Sequence, residues 1–460
     1  MQQLCINSHD IVKFIVYLEE LPNLCLSENK YCNIRFAFFI AIIQYSLQTM
    51  LSCSRLLKGH RTGPALIRSF GQFSRIQPPV RNVLPKVIAR PCTAVSTAAT
   101  AQFATPKVVG YWLFGIAGMA FGAVALGGVT RLTESGLSMV DWKLFGRPPP
   151  ADEAAWEEEL RKYSESPEFK YKNSQITMNE FKFIWYMEYG HRMWGRAIGA
   201  CYYLPAAVMW AKGYFDKAMK RRIVVMGALL ACQGLLGWYM VKSGLDHKNF
   251  EGPSDVPRVS QYRLASHLSA AMVLYSFLFW NALSVLTPAV KEGVAKFTPQ
   301  VAKFRGMAMG AKALVFLTAV SGAFVAGLDA GLVYNSFPLM AGRIIPDDIL
   351  ALSPALSNFT ENPTTVQFDH RILGTTTLAF ITALALKSRG LPLSPRAKTA
   401  VIALTTMGWM QVGLGITTLL LYVPVPIAAL HQSGALLTLT SALWLSHELK
   451  LMKALKYVPK

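Results

Sequence analysis

Apolar runs long enough to cross a bilayer, roughly 20 residues each, recur eight times along the chain. They lie near 107–129, 183–211, 222–242, 263–287, 309–328, 368–387, 399–422 and 426–447. Three long polar connections, 131–180, 243–262 and 329–367, alternate with shorter basic ones. The last two runs are parted by Tyr422-Val423-Pro424-Val425-Pro426, where prolines stop one helix and restart the next. Lys312 interrupts the fifth run near its start. The pattern predicts an all-α polytopic membrane protein with eight transmembrane helices.

The runs repeat. Glu188-Tyr189-Gly190-His191-Arg192-Met193-Trp194-Gly195 in the second run is echoed by Phe368-Asp369-His370-Arg371-Ile372-Leu373-Gly374 in the sixth. Two helices after each copy stands another histidine near a helix start, His267 and His431. Gln233-Gly234-Leu235-Leu236-Gly237 matches Gln411-Val412-Gly413-Leu414-Gly415, and Glu134-Ser135-Gly136-Leu137 matches Asp329-Ala330-Gly331-Leu332. Four helices per copy give both copies one membrane orientation. The expected architecture is two tandemly repeated four-helix bundles, with glycines permitting close helix approach.

Composition agrees: 52% of the 460 residues are apolar and 16% charged, as in membrane proteins. The formal charge of +20 suggests nucleic acid, but its distribution argues against that. From Leu51 to Lys107 there are nine Lys/Arg and no Asp/Glu, the composition of a mitochondrial presequence. Met50 reads as a natural start, with residues 1–49 an upstream extension. The seven cysteines show no CxxC spacing, so neither a disulfide framework nor a cysteine-bound metal is expected. Cys201 and Cys232 are expected to pack inside their helices.

Basic residues mark the side from which helices insert. Lys212, Lys217, Lys220, Arg221 and Arg222 occupy one connection, Lys291, Lys296, Lys303 and Arg305 the next, and Lys387, Arg389, Arg396 and Lys398 a third. The opposite loop 131–180 holds ten Asp/Glu against seven Lys/Arg. Eight spans put every basic connection on one side, with both termini in the matrix and the long loops outside. The expected division is a targeting extension over 1–106, an N-terminal bundle over 107–287, a basic matrix linker over 288–308, a C-terminal bundle over 309–450 and a basic tail over 451–460. All four repeated histidines then lie within the first two turns of their helices, at similar depth near the outer leaflet. Within 131–180, Glu157-Glu158-Glu159 reads as a solvated helix.

A histidine inside a membrane is costly and points to function. Two imidazoles on two helices can clamp a flat macrocycle from both faces, whereas a bare zinc or copper ion needs more ligands. Paired histidines, His191 with His267 and His370 with His431, therefore suggest two haem sites. Arg192 and Arg371 suit haem propionates, with interfacial snorkelling the bland alternative. Glu188 shares the face of His191. At the second site Thr365 is taken as its counterpart, a residue that cannot accept a proton. This asymmetry suggests chemistry at one haem and electron carriage at the other.

Together these residues resemble heme A synthase of the mitochondrial and alphaproteobacterial type. The most specific stretches are Gly127-Gly128-Val129-Thr130-Arg131-Leu132-Thr133-Glu134-Ser135-Gly136-Leu137-Ser138, Glu188 with His191-Arg192, Phe368-Asp369-His370-Arg371 and Leu430-His431-Gln432. The loops lack the cysteine pair of some bacterial members. The resemblance implies oxidation of the C8 methyl of heme O to a formyl group by successive hydroxylations, giving heme A for cytochrome c oxidase in the mitochondrial inner membrane. It places the farnesylated substrate between His191 and His267, with Glu188 acting on the reacting methyl or its proton, and a permanent heme b between His370 and His431. It also implies a ferredoxin-type electron donor, heme O synthase and cytochrome c oxidase assembly factors as partners, and is compatible with a homo-oligomer. Bis-histidine ligation leaves two routes open. Either one ligand leaves the substrate iron, or the ring edge loses electrons and is attacked by water.

Two other readings compete. A di-haem electron carrier of cytochrome b type would also pair histidines, but favours haems stacked at two depths. A transporter built from parallel repeats would show broken helices and midplane charges.

Overall fold

A computed structural model of the chain describes residues 105–245, 258–291 and 293–455. The N-terminal extension up to residue 104 and the last five residues of the tail lie outside the described residues. Eight helices of 26 residues or more carry the described chain: α1 Lys107–Leu132, α2 Met178–Ala211, α3 Lys217–Gly244, α4 Gln261–Leu286, α5 Pro299–Gly327, α6 Pro363–Ser388, α7 Pro395–Leu420 and α8 Val425–Ala454. Among the described residues there is no β-strand. By length and composition α1, α3, α4, α5 and α7 are apolar enough to cross a membrane. The other three carry His191, His370 and His431, and charged neighbours such as Glu188, Arg192, Asp369, Arg371 and Glu448 lower their hydropathy.

Local chemistry sets the helix starts. Thr177 and Glu180 form a reciprocal capping box at α2. Thr298, Asn362 and Ser394 cap α5, α6 and α7 by accepting backbone N–H bonds, each with proline at the first helical position. Each cap stabilises its helix by about 1 kcal/mol.

These caps correct several expected boundaries. α5 starts at Pro299, so residues 299–308 are helix rather than linker, with Lys303 and Arg305 on its first turns. α2 and α6 start at Met178 and Pro363, because polar first turns hide a capped start from an apolar window. α8 runs on to Ala454, into the stretch expected as tail. The histidines are also not equally placed along their helices. His267, His370 and His431 fall within about two turns of the helix start, whereas His191 stands roughly three and a half turns in.

α1 packs on α2, α4 and α8, while α5 packs on α4, α6 and α8. The contacts α4 with α5 and α1 with α8 thus join the two stretches expected as separate bundles, and Leu113, Met226, Leu278, Phe304, Leu384, Leu404 and Leu445 lie in one shared apolar core. Cys201 and Cys232 are free and exposed, pointing away from that core instead of packing into it.

The connection between α1 and α2 is ordered by a second core. Trp156 and Tyr163 of a helix over Glu153–Ser164 pack on Phe181 and Trp185 of α2. The expected solvated helix is therefore half right. Glu157 and Glu158 are exposed, but Glu159 is buried. There it accepts Arg147 Nη1 at 2.6 Å and Lys162 Nζ at 3.2 Å.

Candidate functional site

Each repeated histidine rests on a glycine of the helix before it. A methyl built on Gly127 of α1 would lie 2.9 Å from Cε1 of His191; the same test gives 3.1 Å for Gly237 and His267, 3.2 Å for Gly322 and His370, and 2.9 Å for Gly415 and His431. A side chain at these positions would meet the imidazole, so ring and backbone approach directly.

Three of the four rings are also held at Nδ1. Gln233, one turn before Gly237, places its carboxamide nitrogen 3.1 Å from His267 Nδ1 and donates to the His267 carbonyl at 2.8 Å. Gln411, one turn before Gly415, repeats this at His431 with 3.0 and 2.7 Å. Ser321, next to Gly322, puts its hydroxyl 2.7 Å from His370 Nδ1. His191 differs: its Nδ1 is buried without a hydrogen-bond partner, and the residue next to Gly127 is Leu126.

The rings of His370 and His431 stand with centroids 6.4 Å apart and planes at 87°. Two imidazoles bound through Nε2 to one metal, with bonds of about 2 Å, would have centroids roughly 6 Å apart. The pair thus fits a haem held between them. Ligation through Nε2 requires the proton on Nδ1. Ser321 Oγ can accept it. The Oε1 atoms of Gln233 and Gln411 are buried and unpartnered. A half-turn of either amide gives up the bond to the backbone carbonyl and presents Oε1 to Nδ1–H. Among the described residues no group of three or more His, Cys, Asp or Glu is gathered around a point.

Glu188 is 2% exposed. Its Oε1 accepts Arg192 Nη2 at 2.6 Å, and its Oε2 accepts Ser138 Oγ and the Met139 N–H, each at 2.8 Å. Arg192 also donates to the carbonyls of Met139 and Asp141 at 2.8 Å. The counterpart of Glu188 is Gln367, three residues before His370, and not Thr365, whose hydroxyl donates to the Ile349 carbonyl. Gln367 Oε1 accepts Arg371 Nη2 at 3.0 Å, and Arg371 donates to the Tyr334 carbonyl at 2.9 Å. Both Glu188–Arg192 and Gln367–Arg371 therefore clamp the loop entering their helix, one as an ion pair and one as a guanidinium–amide hydrogen bond. The arginines, expected at propionates, spend donors on loop carbonyls, and Nε of Arg371 is buried without a partner.

The repeat extends to the backbone. Glu134 and Asp329, each seven residues beyond the glycine that a histidine touches, adopt left-handed conformations with φ of 54° and 52°. Glu134 pairs with Lys172 at 2.5 Å, whereas Asp329 accepts Arg131 from the end of α1 at 2.8 Å.

Close to Glu188, outside the helical spans, Glu168 accepts Tyr163 OH at 3.0 Å. Burial, with the nearby Glu188 charge adding to it, pushes its carboxyl up to about 8. An apolar groove of about 420 Å³ lies between α1, α2 and α8, lined by Leu126, Val129, Trp194 and Leu430 among others. At the repeat-related place in the second half, Phe324 and Tyr262 meet edge to face at 5.8 Å.

Residues that sequence reasoning did not assign to the site are Gln233, Gln411, Ser321 and the four glycines. For the glutamines a signal existed, since Gln and Gly recur four apart before both His267 and His431. A fifth histidine, His447, is buried near Trp280 and Ser284 at the other end of α8, more than four turns beyond His431.

Residues 110–443 match the family model described as cytochrome oxidase assembly protein, COX15-CtaA. The chain is 56% identical over 348 residues to heme A synthase COX15 of Homo sapiens, covering 75% of this chain and 84% of that protein. It is 40% identical over 374 residues to heme A synthase COX15 of Saccharomyces cerevisiae, covering 76% and 77%. A heme A synthase-mitochondrial ferredoxin fusion protein of Schizosaccharomyces pombe is 39% identical over 379 residues, covering 76% of this chain and 61% of the fusion.

Proposed function

The chain belongs to the COX15-CtaA family of heme A synthases, and we propose that it oxidises the C8 methyl of heme O to a formyl group by successive hydroxylations, giving heme A for cytochrome c oxidase. In this reading the first half, α1 to α4, binds heme O between His191 and His267. The second half, α5 to α8, binds heme b between His370 and His431. The 6.4 Å spacing of the latter two rings carries the assignment. The recurrence of His–Gly and Gln–His contacts at matched positions supports two tandem four-helix bundles.

Bound heme b would supply one-electron transfer. The protein's own residues do the rest. Ser321 and Gln411 orient the two second-half imidazoles, and the glycines beneath all four rings set how close they stand to the helices. Glu188 provides a carboxylate beside the first site where Gln367 provides only an amide, so a proton can be taken up in one half and not the other. Its ion pair with Arg192 also fastens residues 138–141 over that end of the site. The groove along α1 suits the prenyl tail of heme O, while the Phe324–Tyr262 contact fills the corresponding place in the half that would hold a tailless haem.

Counting α2, α6 and α8 as spans gives eight, with the basic connections and both termini in the matrix and the protein in the mitochondrial inner membrane. A ferredoxin-type donor is supported by the S. pombe fusion protein. Heme O synthase and oxidase assembly factors are further partners on the same reading.

The test is the haem content of the purified protein beside His191→Ala and His370→Ala, by pyridine hemochrome spectra and chromatography. Loss of b-type haem only in His370→Ala, with no heme A in His191→Ala, is the expected result. Equal loss of b haem in both variants, with heme O and heme A absent throughout, would make the protein a di-haem electron carrier instead.

A further inference from the structure

The four histidines occupy repeated positions, yet one is set apart. His370 is held by Ser321 Oγ, 2.7 Å from its Nδ1. His191 has Leu126 at the same position, one residue before the glycine it touches, and its Nδ1 is buried without a hydrogen-bond partner. Gln233 and Gln411 stand at Nδ1 of the remaining two, each with a buried, unpartnered Oε1 that a half-turn of the amide presents to Nδ1–H.

The chemistry of an imidazole ligand depends on that second nitrogen. An acceptor at Nδ1–H fixes the tautomer, holds the ring in register and raises the basicity of Nε2. Loss of such a partner typically weakens metal binding about 10- to 100-fold. A ring without one is the weaker base and the freer to turn. His191 lacks a partner because a leucine cannot accept a proton, and its Nδ1 is buried away from bulk water.

From the geometry we infer that His191 is the exchangeable ligand of the substrate haem, the one that leaves the iron so that a small molecule can take its place, while His267, His370 and His431 stay bound. The inference rests on the haem-pair reading of these histidines. Only the dative bond from His191 Nε2 breaks; no electron or proton moves, and the incoming ligand fills the position. The same lability serves turnover, because heme O must be bound and heme A released, whereas heme b stays. Of the two routes left open by bis-histidine ligation, this one assigns departure of a ligand, and names it.

The test swaps one position between the halves. The full-length protein, loaded with heme O and reduced without oxygen, is mixed with carbon monoxide, and binding is followed optically in wild type, Leu126→Ser, Leu126→Ala and Ser321→Leu. In wild type carbon monoxide binds heme O and leaves heme b low-spin. Leu126→Ser, which gives Nδ1 an acceptor, is expected to slow binding to heme O by about tenfold or more. Leu126→Ala removes the same bulk from the groove without adding an acceptor, so it is the reference against which the slowing in Leu126→Ser is read. Ser321→Leu is expected to open heme b to carbon monoxide. Equal rates in wild type and Leu126→Ser, or equal slowing in Leu126→Ser and Leu126→Ala, would overturn the inference while leaving the two-haem reading intact. Failure of the wild type to retain any haem would overturn both, and is seen directly in the hemochrome spectrum before carbon monoxide is added.

Discussion

Gln411 touches His431 twice, donating from its carboxamide nitrogen to the backbone carbonyl at 2.7 Å and lying 3.0 Å from Nδ1. The contact ties the ring to α7 and the backbone of α8 to the same side chain. Gln411→Leu keeps the volume and removes both bonds. It should weaken heme b binding about 10- to 100-fold while helix content holds. Transfer of haem to apomyoglobin, with circular dichroism alongside, measures both.

Gly415 and Gly413 give a matched pair of tests on one helix. A methyl at 415 would lie 2.9 Å from the His431 ring, whereas one at 413 meets nothing within 4 Å. Gly415→Ala should displace the ring and cost most of the bound heme b. Gly413→Ala should retain it, with a gain in helix stability of about 0.5–1 kcal/mol. Haem-to-protein ratio after purification decides the first, and thermal unfolding the second.

Glu188 can be changed in two steps. Glu188→Gln copies Gln367, which the second half accommodates beside Arg371 at 3.0 Å. The fold and the heme b content should survive, and heme A formation should fall more than tenfold, as about 1.4 kcal/mol of lost transition-state stabilisation suffices for each factor of ten. Glu188→Ala instead strands Arg192, whose side chain is only 11% exposed. Breaking a buried pair in this way costs about 3–5 kcal/mol, so this variant should also lose yield and thermal stability. Heme A assayed by chromatography, with melting curves of both variants, separates the charge from the clamp.

Glu168 carries a pH dependence. Burial raises its folded-state pKa from an ordinary 4.5 to about 8, so the folded loop retains a proton that the unfolded chain releases. The unfolded state therefore binds fewer protons between about pH 4.5 and 8, and loop stability falls as pH rises through that window. Limited proteolysis of the 133–177 connection should speed up between pH 6 and 9 in wild type, and remain flat in Glu168→Gln, which is neutral throughout. Equal acceleration in both would place the effect elsewhere.

Much of this was legible in the sequence for a physical reason. A duplicated chain states each constraint twice, so His191 with His370 and His267 with His431 stood out against apolar helices that tolerate drift. Gln233 and Gln411 recurred as well, but their use depends on which helices meet, and α3 against α4 is a fact of packing. Ser321 was invisible because it is the half of a pair whose other member is Leu126, and a repeat search rewards sameness. The start of α2 escapes a hydropathy window because Thr177 and Glu180 exchange bonds inside a polar turn that the window averages away. Gln367, not Thr365, shares the spacing of Glu188, each three residues before its histidine, and the Arg371 contact agrees.

The glycines beneath the four rings have one more consequence. Because each imidazole lies against backbone, the gap between facing rings is set by four helix axes, while Gln233, Ser321 and Gln411 fix the rotation of three of the rings. A larger or smaller residue elsewhere in the apolar core shifts that gap only if it moves a whole helix. The width of the site is thus insulated from ordinary substitution in the membrane-facing surface, where Leu204, Leu235, Ile402 and other exposed apolar residues stand. Such a protein can follow changes in the lipid around it, residue by residue, and keep the same caliper inside.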